Sequence, residues 1–299
     1  MNSTISLKLF SYGIQKLHDP NWTGMDLYDK LKQHLRQRVE PKNMIYETIQ
    51  NGLLLHLGIW IYEEYLLHYE EEFIELEGEY LLWYLEDYIH FLTELGVNEG
   101  DELIVDAIEI LISYNDLLNA EDEDENEETT VEDEYSYYKR IKKDDLKIIT
   151  LLVNMTEKFE GIIQADKVKY AQDFAERVFH DRVLCEFISK LLLVIGFDGA
   201  EEDEQPEQWI KRMCLPNWAK KAVISRDRGH CAKCGAAVSM ELTSNHHFDH
   251  IIPLFQGGTN DLSNFQLLCE KCNLQKSSNI VSVNTSIPRY LQLKKAKKS

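Results

Sequence analysis

Four cysteines in two Cys-x-x-Cys pairs, Cys231 with Cys234 and Cys269 with Cys272, have the spacing that most directly implies chemistry in this chain. Each pair can approach one ion from two corners of a tetrahedron, and thiolates are the preferred ligands of structural Zn²⁺. A closed four-thiolate site has no open coordination position, so such a zinc would be a staple that contributes folding free energy. Reactive groups must then come from the residues between and beside the pairs. The run HHFDHIIPLFQGG places Asp249 next to His250, and SNFQLLCEKCNLQK supplies Asn264, Asn273 and Lys276. A carboxylate, an imidazole and amide oxygens close to a zinc staple point to metal-dependent cleavage of nucleic acid.

Those residues need elements to position them. His246 to Ile252 reads as a strand ended by Pro253 and the loop FQGGTND, Asn264 to Leu268 as the return strand, and Cys269 as the start of a helix running to about Asn279. The expected arrangement is ββα, closed by metal. At about 100° per residue, Cys269, Cys272, Asn273 and Lys276 share one arc of that helix, so the zinc fixes the face that presents Asn273 and Lys276 to the first strand. Neighbours in a regular strand point to opposite faces, so Asp249 and His250 can meet at one site only if the strand twists or bulges near Pro253. His247 shares the Asp249 face and is a candidate third metal ligand.

DHIIPLFQGG, followed by SNFQLLCEKCN and a downstream lysine, resembles the HNH endonuclease family in its zinc-stapled ββα-metal form, over Arg226 to Asn279. The resemblance implies that His250 is the general base that activates water, and that Asp249 and Asn273 hold a catalytic Mg²⁺ or Mn²⁺. It also implies that Asn264 ties down the loop orienting His250, and that the four cysteines are the structural zinc ligands. Many members carry histidine where this chain has Asn273. Phosphodiester hydrolysis needs the same roles: a base near neutral pKa, a hard cation on the phosphate, and charge to steady it, for which Lys276 is a candidate phosphate contact. The alternatives are a zinc-stapled adaptor that binds DNA without cutting, or an HNH nuclease for phage DNA processing or homing.

Charge separates this module from the rest of the chain. Residues 209–299 hold 14 Lys and Arg against 5 Asp and Glu, a net of +9; of the chain's 32 and 52 this leaves 18 against 47, or −29, for residues 1–208. The basic part has the footprint of a phosphate-backbone binder, whereas the acidic part would repel DNA at close range. The domain boundaries follow: an acidic helical region over 1–119, an acidic linker or loop over 120–136, a continuing helical region over 137–197, and an acidic linker over 198–208. The nuclease-like domain covers 209–290 and a basic tail 291–299.

Apolar spacings of three and four make the N-terminal region mostly α, as in Leu27, Leu31 and Leu35 or Leu81, Leu85, Ile89 and Leu92, with further helices over Leu146 to Lys158 and Tyr170 to Ile195. The expected fold class is thus a mostly α N-terminal region with a small α+β C-terminal domain. The opening MNSTISLKLFSYG lacks the features of a signal peptide, and no apolar run reaches membrane-spanning length, so a cytoplasmic protein without a membrane partner is expected. The expected partners are DNA and a regulatory or sensor protein docking on the acidic helices, in a setting of bacterial anti-phage defence or restriction.

Overall fold

Long stretches poor in Gly and Pro make helices the main elements of the computed structural model, which describes residues 10–11, 13–14, 17, 25–39, 44, 46–47, 52–73, 79–121, 131–197, 212–238, 246–277 and 279. In order, the elements are α1 (Met25–Arg38), α2 (Leu53–Phe73), α3 (Glu79–Glu94), α4 (Glu102–Glu121), α5 (Val131–His180), α6 (Arg182–Val194), α7 (Asn217–Arg226), β1 (His246–His250), β2 (Phe265–Cys269) and α8 (Glu270–Lys276). They form two compact units, one drawn from Met1–Tyr12 and Ile61–Lys169, the other from Gly13–Trp60 and Tyr170–Ser299. Among the described residues, no helix is long and apolar enough to cross a membrane.

In the first unit, Ile148, Leu151, Leu152, Met155, Phe159 and Ile163 form a buried stripe along α5, at the spacing of one helix face. Leu81, Leu85, Tyr88 and Leu92 of α3, with Ile104 and Ala107 of α4, are its buried counterparts. Polar contacts fix the register: the Tyr88 hydroxyl lies 2.9 Å from that of Thr156, and Lys158 pairs with Asp101 at 2.6 Å. Gly96, at φ 95°, lets the chain turn out of α3, with Val97 N–H donating to Leu92 O.

The second unit buries Leu31 and Leu35 of α1, Leu53 and Leu57 of α2, and Tyr170, Phe174 and Val178 of α5. A Cβ on Gly58 would sit 2.9 Å from Ala171 Cα, so here α2 and α5 approach at backbone distance. The site-bearing part is a two-stranded antiparallel sheet with continuous register from His246 opposite Cys269 to His250 opposite Phe265, followed by α8. Two 3-10 turns, Leu254–Gln256 and Leu262–Asn264, shape the connection between the strands.

Several boundaries differ from those read in the sequence. The expected helices Leu146 to Lys158 and Tyr170 to Ile195 are merged and then recut: α5 runs unbroken to His180, because the intervening residues hold no proline and Gly161 meets no steric demand. The break falls at Asp181, whose extended backbone and side-chain bonds to the N–H groups of Val183 and Leu184 cap α6. Residues 120–121 belong to α4 and 131–136 open α5, within the expected acidic linker. β1 stops at His250 rather than Ile252, β2 and α8 begin one residue later than expected, and α8 ends at Lys276. The sheet has no bulge; pairing ends and the chain bends at Ile251 and Ile252. The expected linker over 198–208 and tail over 291–299 lie outside the described residues.

Candidate functional site

The four candidate zinc ligands come from one turn and one strand–helix junction. Cys231 and Cys234 flank a tight turn in which Gly235 N–H donates to Cys231 O, and Gly235 adopts φ 69°, a conformation suited to glycine. Ala232 N–H donates to Leu267 O at 2.8 Å and docks that turn on β2, where Cys269 ends the strand and Cys272 lies in the first turn of α8. One sulfur from each cysteine lies within 4.8 Å of the others, and the Cys234 and Cys269 sulfurs are 3.9 Å apart. Tetrahedral Zn²⁺ with bonds of about 2.3 Å would place its sulfurs about 3.8 Å apart, so the four thiols fit that ion. Burial and the neighbouring thiols raise Cys234 and Cys272, so the cluster favours full ionisation only around a cation. Burial also opposes ionisation of Cys231, but N–H groups of Cys269, Cys234 and Lys233 reverse the balance and lower its pKa.

β1 and α8 carry most of the candidate reactive groups. His250 is the last paired residue of β1 and only 4% exposed; its ring packs on Phe265, directly across the sheet, at 4.3 Å between centroids. Burial pushes the imidazole down to about 4, against the raising effect of a hydrogen bond with Asn260, so the ring is neutral at ordinary pH. The carbonyl of His250 accepts from Lys276 Nζ at 2.8 Å and from Gln266 Nε2 at 3.4 Å. Asp249 leaves the strand on the other face, yet its carboxylate and the Lys276 ammonium both act on the His250 ring electrostatically.

Lys276 was expected to contact phosphate. Its side chain is 1% exposed and its ammonium is engaged internally, 2.7 Å from Asp249 Oδ2 as well as on the His250 carbonyl. It therefore clamps the end of α8 to the end of β1. Asn273 stands one turn earlier on α8 and is half-buried, and His247 shares the Asp249 face, opposite Leu268. Asp249 Oδ2 is buried and, despite its ion pair, has no aligned hydrogen bond. A hard carboxylate, with an amide-bearing residue on the adjoining helix, is a donor set compatible with a divalent cation.

Asn264 holds the connecting loop closed. Its Oδ1 accepts from Ile252 N–H at 2.8 Å, and its Nδ2 donates to Ile252 O at 3.0 Å and Thr259 O at 2.8 Å. A Cβ on Gly258 would fall 2.0 Å from Ile252 O, so that close approach requires glycine. The loop delivers Asn260, whose Oδ1 lies 3.1 Å from His250 Nε2. In sequence Asn260 is only one turn-forming residue within GGTND, and its spacing from His250 is no signature.

A buried ionic network behind the strands was equally invisible in the sequence. Asp227, with no exposed surface, accepts from Arg182 Nε at 3.0 Å, Arg226 Nε at 2.8 Å and Leu267 N–H at 2.8 Å. Arg226 also donates to Phe265 O at 2.6 Å and approaches the Cys185 sulfur at 3.7 Å. Burial alone would lower the Arg226 pKa; the Asp227 carboxylate reverses this and holds it raised. Cys185 packs with Ile251 and Ile252, and Leu193 packs against that cluster, so α6 supports the segment directly after His250.

Two strands and a helix, with four thiols close enough together to hold a metal ion and an imidazole and a carboxylate nearby on β1, make up a small α+β module. The family model for HNH endonuclease matches residues 231–279, the segment towards the C-terminal end that holds the four cysteines, β1, β2 and α8. No curated protein and no solved structure matches the chain.

Proposed function

We propose that the C-terminal domain is a ββα-metal nuclease that hydrolyses DNA phosphodiester bonds. The observation that carries this reading is the coincidence, in the family-matched segment, of the four-thiol cluster with His250, Asp249 and Lys276 tied together at the junction of β1 and α8. His250, neutral at ordinary pH, takes the proton of the attacking water; Asp249 and Asn273 would hold Mg²⁺ or Mn²⁺, with His247 as a further candidate ligand. When bound, that cation supplies charge neutralisation at the phosphate and at the leaving oxygen. Asn264 closes the loop, Lys276 keeps Asp249 and the His250 backbone in register, and the zinc fixes α8 against β2.

The rest of the reading follows from charge. The basic C-terminal third holds DNA through its backbone, and the acidic helical region restrains or targets the cut, either by competing with DNA or by docking a basic protein partner. Such control suits bacterial anti-phage defence or restriction. Purified zinc-loaded protein should nick or linearise plasmid DNA on addition of Mg²⁺ or Mn²⁺ and stop on chelation, with Asp249→Ala inactive. Salt-sensitive DNA binding that survives Asp249→Ala, with no cleavage by the wild type under any cation, would establish the DNA-binding adaptor instead.

A further inference from the structure

We propose that Asn260 is a positioning residue that fixes the tautomer of His250, its amide oxygen holding the proton on Nε2 so that Nδ1 presents the lone pair. The proposal rests on His250 being the general base. An amide oxygen only accepts hydrogen bonds, so the 3.1 Å contact between Asn260 Oδ1 and His250 Nε2 requires the hydrogen to be on the ring nitrogen. A neutral imidazole carries one such hydrogen, which leaves Nδ1 as the basic atom.

Three further features keep Asn260 where this bond needs it. The preceding carbonyl, that of Thr259, is held by Asn264 Nδ2, and Gly258 lies against Ile252 O with no room for a Cβ. The following residue, Asp261, is buried and accepts from Ser263 N–H at 2.8 Å, which starts the 3-10 turn leading into β2. Asn260 itself is 3% exposed, and the Phe265 ring lies against the imidazole it holds. Asn264 thus acts on the base at one remove: it fastens the loop, and the loop carries the side chain that orients the ring.

The tautomer can be read without any cleavage assay. Full-length, zinc-loaded protein labelled with ¹⁵N-histidine, examined by two-bond proton–nitrogen correlation at mildly alkaline pH, should show His250 with pyrrole-type Nε2 and pyridine-type Nδ1; His250→Gln identifies the signal by its loss. Asn260→Ala should convert His250 to a mixture of tautomers while zinc stays bound, and Asn260→Asp, which keeps an acceptor, should restore the Nε2–H form. In steady-state cleavage, Asn260→Ala should lower kcat by about 10²-fold with KM nearly unchanged, with Asn260→Asp recovering much of it.

A wild-type ring protonated on Nδ1, or an Asn260→Ala spectrum identical to the wild type, would overturn the proposal. Should Asn260→Ala fail to bind zinc, the wild-type tautomer alone decides. The expected tautomer in a protein that cuts no DNA would sustain the hydrogen-bond assignment and remove the nuclease reading, whereas the opposite tautomer in an active nuclease would do the reverse.

Discussion

Replacing Asp227 with alanine tests whether α6 and the strands behind the site form one structural unit. The carboxylate is fully buried and receives three donors, the Nε groups of Arg182 and Arg226 and the N–H of Leu267 in the centre of β2. Without it the Arg226 guanidinium, whose side chain is 1% exposed, keeps its charge in the interior with no counter-ion, and the strand N–H loses its acceptor. Breaking a buried pair from one side costs about 3–5 kcal/mol. An orphaned buried donor adds roughly 1–3 kcal/mol, and because the groups share one site the two are not fully additive. A loss of about 4 kcal/mol or more is expected, a large part of the roughly 5–15 kcal/mol that keeps a domain folded. Arg182→Ala should cost only about 1–2 kcal/mol, since that side chain reaches solvent and Asp227 keeps its other donors. Denaturant unfolding of zinc-loaded protein, followed by tryptophan fluorescence and by zinc release, reads both. If Asp227→Ala unfolded within about 1 kcal/mol of the wild type, the network would be too weak to unite these elements.

Gly258→Ala should cut cleavage by about 10²-fold with zinc retained, because its Cβ would fall 2.0 Å from Ile252 O and displace the loop that carries Asn260; activity assays beside metal analysis check this. Cys272→Ser, or chelation of the wild type, should release one zinc per chain and unfold the β1–β2–α8 segment, since structural zinc contributes on the order of 10 kcal/mol; folded, metal-free protein by hydrogen exchange would contradict this. The His250 pKa is held down at about 4, below its ordinary 6.5, so the unfolded chain binds the extra proton first as pH falls. The stability contributed by the neutral ring is therefore complete above about pH 6.5 and is lost between there and about pH 4, at up to ~1.4 kcal/mol per pH unit. Denaturation midpoints should fall more steeply across that window in the wild type than in His250→Gln, and equal slopes would refute it. Replacing Asp122, Glu123, Asp124, Glu125, Glu127 and Glu128 by their amides should raise DNA affinity, most at low salt; an unchanged salt profile would remove the charge-based restraint.

The parts of the site legible in the sequence were those whose partners are fixed by local periodicity. Cys231 and Cys234, like Cys269 and Cys272, are close because three residues of turn or helix bring them together, and the two pairs found one another in space. The hairpin was legible from two short strand-like runs separated by Pro253 and the loop FQGGTND, within two residues at each end. What escaped depends on contacts across long separations. Arg182 and Asp227 are 45 residues apart, and Arg226, although next to Asp227, shows no sign in the sequence of being buried with it. The role of Asn260 depends on a loop closed by Asn264 and Gly258, although in sequence it looks like any turn residue. Lys276 was placed on the helix face towards the first strand and read as a phosphate contact; only the fold reveals the carboxylate and carbonyl that its ammonium meets there. The cut between α5 and α6 escaped because Asp181 caps a helix inside a stretch whose apolar periodicity barely falters.

These contacts also change how regulation should be tested. Deleting residues 1–208 would remove Arg182, Cys185 and Leu193 along with the acidic helices, uncovering Asp227 and Ile251 behind the site. Loss of activity in such a fragment would report a broken fold and not the absence of a regulator. Charge-neutralising substitutions in full-length protein separate the two.

Whether His250 is the base of a metal-dependent nuclease is tested most directly by cleavage of supercoiled plasmid by full-length wild type and His250→Ala, each verified to hold one zinc, across Mg²⁺ and Mn²⁺. The wild type should give nicked or linear product only in the presence of the cation, and His250→Ala should lose at least about 10²-fold with zinc content unchanged. Equal cleavage by the two zinc-loaded proteins would contradict that role.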